Sequence, residues 1–158
     1  MKLLLLVAGL MLAQGPQDLG SLEAPKKTKQ FVEYAAESQV VPAGKRTVLE
    51  LRFRVVEGYH INSHTPNSEL QIPTVVESLA GSGVKVLTAE YPAGKPYSFS
   101  FAPDEKLDVY QGDFVVKVPV VASAGTHELK GSLKYQACNT AACYPPRTLP
   151  VDVLFTAK

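Results

Sequence analysis

Charge of one sign, long apolar runs and thiols are all scarce in this 158-residue chain. Sixteen Lys and Arg face fifteen Asp and Glu, a net charge of +1, and no basic run or stripe stands out. Nucleic-acid backbones are held by clustered Lys and Arg, so the composition argues against such a partner. No apolar stretch reaches eighteen residues, so no segment reads as a membrane-spanning helix. No internal repeat, low-complexity tract or apolar stripe of helical period is visible. Only two cysteines are present, Cys138 and Cys143. The hydrophobic fraction of 46% and charged fraction of 20% are those of an ordinary globular chain. At this length one domain can build a sufficient core without a disulfide.

The chain opens "MKLLLLVAGLMLAQGPQ". Lys2 supplies a positive start and Leu3 to Ala13 an apolar run that is too short to span a bilayer. Small residues follow at Ala13 and Gly15. This pattern reads as an export signal over residues 1–15. The polar, Gly- and Pro-containing residues 16–29 read as a flexible linker. No cysteine lies nearby to carry a lipid anchor. The expected location is periplasmic or otherwise outside the cytosol, where a disulfide can form and persist.

From residue 30 onward the apolar pattern has period two. In "TVLELRFRVV" Leu49, Leu51, Phe53 and Val55 alternate with Glu50, Arg52 and Arg54, as in a half-buried strand. Val84 to Tyr91, Asp113 to Ala122, "HELKGSLKYQA" and "RTLPVDVLF" are further strand candidates, with "QFVEYAA" and "LQIPTVVESL" weaker. Turn signals such as "VPAGKR", "YPAGKP", "FAPDEK" and "YQGD" separate them. Seven or eight short strands at this spacing predict an all-β, immunoglobulin-like antiparallel β-sandwich. Pro119 and Pro150 fall inside strand-like runs and predict edge strands or bulges there.

Both cysteines sit in "YQACNTAACYPPR", between the last two strand candidates and so at one end of the sandwich. Pro145 and Pro146 stiffen the exit. A disulfide here would close a very short ring, worth about 2 kcal/mol in loop-closure entropy. That is a small return for a domain with a full core. Short exposed rings are also the labile ones. The pair is not Cys-x-x-Cys at a helix start, and no His or acid lies between the thiols to acidify them. Reversible exchange and a structural staple both remain open on these residues.

Other constellations are weaker. His60 and His64 in "HINSH" would share a face only on a helix, which the Asn, Ser and Thr-Pro around them disfavour; a metal site there is a third, minor reading. His60 is expected at a strand end and His64 in a loop. Asp104, Glu105 and Asp108 read as a solvated acidic turn rather than a catalytic pair. No Ser-His-Asp motif is present, and aromatics do not interleave with a basic stripe.

"YQACNTAACYPP" resembles the cysteine motif of the N-terminal periplasmic domain of the thiol:disulfide interchange protein DsbD. "EGYHINSHTPNSELQIPT" and "YPAGKPYSFSF…LDVYQGDFVVKVPV" are similar to that family's earlier segments, in the same order. The likeness covers roughly residues 30–155, within a domain placed at residues 30–158. It implies an immunoglobulin-like sandwich acting as an electron carrier of thiol-disulfide oxidoreductase type, without a cofactor and as a monomer. Electrons would come from a membrane relay through a thioredoxin-like domain. They would pass to thioredoxin-fold proteins that correct disulfides or serve cytochrome c maturation. Carried over by position, Cys143 attacks the partner's disulfide and Cys138 resolves the mixed disulfide, with Tyr135, Tyr144 and Pro145 shaping the site. The best-known members keep five residues between the cysteines, against four here. Their aromatic cap loop corresponds to Tyr91–Phe101, where Tyr97, Phe99 or neither takes the cap position. The relay is expected on a separate chain. The competing reading is an immunoglobulin-like binding or adaptor module with an inert structural disulfide.

Overall fold

The computed structural model describes residues 29–158. The expected signal segment, and the linker up to residue 28, lie outside the described residues. The period-two pattern becomes strands that bury alternate side chains. The first six are β1 (Val32–Ala35), β2 (Gln39–Val41), β3 (Arg46–Val55), β4 (His60–Asn62), β5 (Val75–Ala80) and β6 (Val84–Val86). The rest are β7 (Lys95–Phe99), β8 (Ala102–Tyr110), β9 (Asp113–Ala122), β10 (Gly125–Tyr135), β11 (Ala137–Cys138) and β12 (Arg147–Ala157). No helix occurs among the described residues.

Two sheets form the sandwich, in the orders β1-β3-β9-β6 and β2-β12-β10-β5. Pairing is antiparallel except between β2 and β12. Leu49, Leu51 and Phe53 of β3 and Val116, Val118 and Val120 of β9 share one buried cluster with Leu129 and Leu133 of β10 and Val151, Val153 and Phe155 of β12. Each such side chain contributes roughly 1.5–3 kcal/mol by leaving water, which is what holds the two faces together. The chain is therefore an all-β, immunoglobulin-like antiparallel sandwich. A third, smaller sheet in the order β11-β4-β8-β7 stands at one end.

Tyr135, the last residue of β10, is fully buried. Its hydroxyl donates to Gln30 Oε1 at 2.7 Å and accepts from the Phe31 N–H at 2.9 Å. It thereby satisfies a buried backbone donor just before β1 and ties that strand to β10.

Several expectations need correction. The strand expected over Val84 to Tyr91 stops at Val86. Pro119 lies opposite Leu87; its carbonyl accepts from the Leu87 N–H, but it has no N–H to return. Pairing resumes only at Glu90 with Lys117, one residue out of step. Pro119 thus sits in an internal strand, not an edge, and is accommodated by a local irregularity. Pro150 does lie on an open stretch, because β2 covers β12 only from Phe155 onward. The segment "FAPDEK" is not a turn. It enters β8, which places Asp104, Glu105 and Asp108 on a strand. The β7–β8 reversal is instead Ser100–Phe101.

Candidate functional site

After Tyr135 and Gln136 the chain enters β11, which leaves the sandwich and pairs with β4. Ala137 lies opposite Ile61, and Cys138 opposite His60. It then doubles back at once. The Asn139 N–H donates to Ala142 O at 2.9 Å, and the Tyr144 N–H donates to Ala137 O at 2.8 Å. These bonds flank an antiparallel bridge between Cys138 and Cys143. The cysteines are thus a directly opposed pair without backbone bonds of their own, the position where cross-strand side chains come closest. Their Cα atoms are 3.9 Å apart and the sulfurs are bonded at 2.03 Å. The four residues between them are the loop of this small hairpin.

Asn139 closes the loop from inside. Its Oδ1 accepts from the N–H groups of Ala141 and Ala142, both at 2.8 Å. Its Nδ2 donates to the Tyr144 hydroxyl at 3.0 Å. The Tyr144 ring rests on Phe31 at 4.7 Å and on Tyr59 at 5.8 Å between centroids. Lys29 lies over Phe31 and Tyr59, and Arg147 over Phe31, at cation–π range. Pro145 is exposed on the exit, where its ring fixes the backbone.

The two cysteines differ in access. Cys138 is 2% exposed, whereas Cys143 is exposed. Opposed residues on antiparallel strands project to the same face, so His60 stands beside Cys138. The His60 ring lies 4.0 Å from Tyr97 and 5.8 Å from Phe99. Phe99 in turn lies 4.9 Å from Phe101, which is 69% exposed at the hairpin tip. His60 is 2% exposed and its Nε2 has no hydrogen-bond partner. Burial lowers its pKa, favouring the neutral imidazole.

Cys138, Cys143 and Tyr144 are thus together in one hairpin. Tyr97 and Phe99 reach the same face through His60. Tyr135 is placed in the core, where it anchors the start of β1. His60 and His64 occupy separate stacks, since His64 lies flat on Tyr91 at 3.7 Å and bonds Thr74 O. Among the described residues no group of three or more His, Cys, Asp or Glu side chains is placed to hold a metal ion. Sequence reasoning overlooked Tyr59, His60 as a neighbour of the cysteines, Asn139 and Phe101. Asn139 alone carried a local signal, because Asn favours turns in which its side chain bonds backbone N–H groups two and three residues on.

The class that fold and site define is a β-sandwich domain carrying a bonded cysteine pair in a hairpin, with Cys143 exposed and Cys138 buried. The family model described as "Thiol:disulfide interchange protein DsbD, N-terminal" matches residues 28–154. The chain belongs to that family. Among solved structures, the reduced N-terminal domain of Neisseria meningitidis DsbD is 19% identical; the match covers 73% of this chain and 86% of that one, with a TM-score of 0.42. The N-terminal periplasmic domain of ScsB from Proteus mirabilis is 12% identical; the match covers 77% of this chain but only 44% of that one, with a TM-score of 0.47. Comparison with curated protein sequences gives no match. Family membership and the bonded cysteine pair together support thiol–disulfide exchange.

Proposed function

We propose that the protein is an exported, cofactor-free electron carrier that exchanges thiols and disulfides with thioredoxin-fold partners through Cys138 and Cys143. The observation that carries this reading is the asymmetry of the pair, with Cys143 exposed and Cys138 at 2%. In the reduced protein the Cys143 thiolate attacks one sulfur of the partner's disulfide, and the partner's other sulfur leaves with the electron pair. The Cys138 thiol gives its proton to water and attacks Cys143 Sγ. The Cys138–Cys143 bond forms, the mixed disulfide breaks, and the partner departs as a dithiol. Two electrons have passed from this chain to the partner. A membrane relay on a separate chain, reached through a thioredoxin-like domain, would restore the dithiol. Tyr97 and Phe99, close to His60, are the candidates for a cap over the pair, and disulfide correction or cytochrome c maturation is the expected use of the electrons. The domain is proposed to act in the periplasm as a monomer.

A trapping experiment tests the assignment. Reduced Cys138→Ala, mixed with an oxidised thioredoxin-fold protein and quenched with a thiol-blocking reagent, should accumulate a mixed disulfide through Cys143. Cys143→Ala should accumulate little, and the wild type should turn over. Capture only by Cys143→Ala would reverse the two roles. No capture by either folded variant would favour the adaptor reading.

A further inference from the structure

We infer that Asn139 is a positioning residue that keeps the two cysteines opposed while they are reduced. The inference rests on the exchange reading and deepens it. The hairpin does not depend on its S–S bond alone. Two backbone bonds flank the cysteines, and Asn139 adds three side-chain bonds, two within the loop and one to Tyr144. Tyr144 carries that restraint into the core through its contact with Phe31, which is 2% exposed. The Gln136 side chain also grips Tyr144 O at 3.2 Å. With the disulfide open, this frame still holds residues 138 and 143 directly across from each other.

The consequence is kinetic and thermodynamic. The oxidised form must adopt the closed hairpin, whereas the reduced form can escape into open ones. Weakening the closed hairpin therefore destabilises the disulfide more than the dithiol. The same loss lowers the fraction of mixed disulfide in which Cys138 is placed to attack Cys143 Sγ. Attack by Cys143 on an outside disulfide needs no such placement, because Cys143 is already exposed. Asn139 thus acts on the second step and on the equilibrium, and leaves the first step alone.

The probe is the aromatic disulfide 5,5′-dithiobis(2-nitrobenzoate), which releases one coloured thiolate on capture by Cys143 and a second when Cys138 closes the ring. For Asn139→Ala the first phase should stay within about two-fold of wild type. The second should slow about ten-fold, in line with the loss of two or three hydrogen bonds of ordinary strength. The equilibrium constant for disulfide formation against a glutathione buffer should fall by the same factor, a rise of ~30 mV for this two-electron couple. Asn139→Asp keeps an acceptor for the two loop N–H groups and should restore most of both. Tyr144→Phe, which keeps the ring and removes the hydroxyl anchor, should shift both in the direction of Asn139→Ala by a smaller factor. It carries the test should Asn139→Ala not fold. A thermal midpoint that drops with the second phase and the equilibrium unchanged would reduce Asn139 to a structural residue and overturn the inference. A wild type that fails to release the second thiolate would instead sink the exchange reading, and the inference with it.

Discussion

His60 shows how much one buried side chain can decide at this end of the molecule. Its ring lies 4.0 Å from Tyr97, its backbone lies opposite Cys138, and burial lowers its pKa below the ordinary 6.5. The unfolded chain then binds more protons than the folded one as the pH drops through 6.5. The stability that neutral His60 lends is complete above that value and is lost as pH falls towards the folded pKa. His60→Phe keeps an aromatic ring against Tyr97 and removes the titration. Between pH 7.5 and 5 the wild type should lose more thermal stability than the variant, as followed by melting curves. Parallel curves would mean that His60 titrates alike in both states. The sequence pointed to His60 as a strand-end residue and, as a minor reading, as a metal ligand with His64, but not as a neighbour of the cysteines. Its place beside Cys138 depends on the β4–β11 pairing, which brings residues 60 and 138 together, and no local pattern encodes that.

Strands were legible where both faces declare themselves. β3, β9, β10 and β12 each bury alternate residues against the opposite sheet, so their period-two pattern survives in the sequence. β7 and β8 were hidden, because Pro96, Pro103, Asp104 and Glu105 have turn-forming or strand-averse chemistry. β7 is the outer strand of its sheet, and β4 pairs with β8 only at Val109 and Tyr110, so Pro103 interrupts no ladder on that side. Gly131 marks another element-level constraint. Between Lys130 and Ser132 the β10–β5 register slips, and Ser78 on β5 adopts a left-handed φ of 56°. A Cβ on Gly131 would lie 2.8 Å from Glu77 O and 2.9 Å from Leu79 Cα, both backbone atoms that cannot swing aside. Gly131→Ala should therefore push β5 away and cost about 1–3 kcal/mol, the usual range for overpacking. Urea denaturation would show it as a lower midpoint, and an unchanged midpoint would mean that β5 adapts freely.

The whole molecule separates the work of folding from the work of the cysteines. The core runs from Phe31 to Ala157 across both main sheets, with Cys138 buried at its end beside Ala137 and Cys143 exposed. The Cys138–Cys143 bond spans a sequence separation of five and joins one hairpin to itself. By loop-closure entropy it restrains the unfolded chain by only about 2 kcal/mol. Folded domains of ordinary stability have roughly 5–15 kcal/mol in hand, so the sandwich should form with the bond open. The proposed carrier role needs this property, because the domain would pass through its dithiol state at every cycle without unfolding. The double variant Cys138→Ala, Cys143→Ala should unfold in one cooperative urea transition. Its slope should match the oxidised wild type and its stability should fall by no more than about 2 kcal/mol. A chain that lost its cooperative transition would show the bond to be a staple on which the fold depends, and a protein held together in that way could not lend out its electrons.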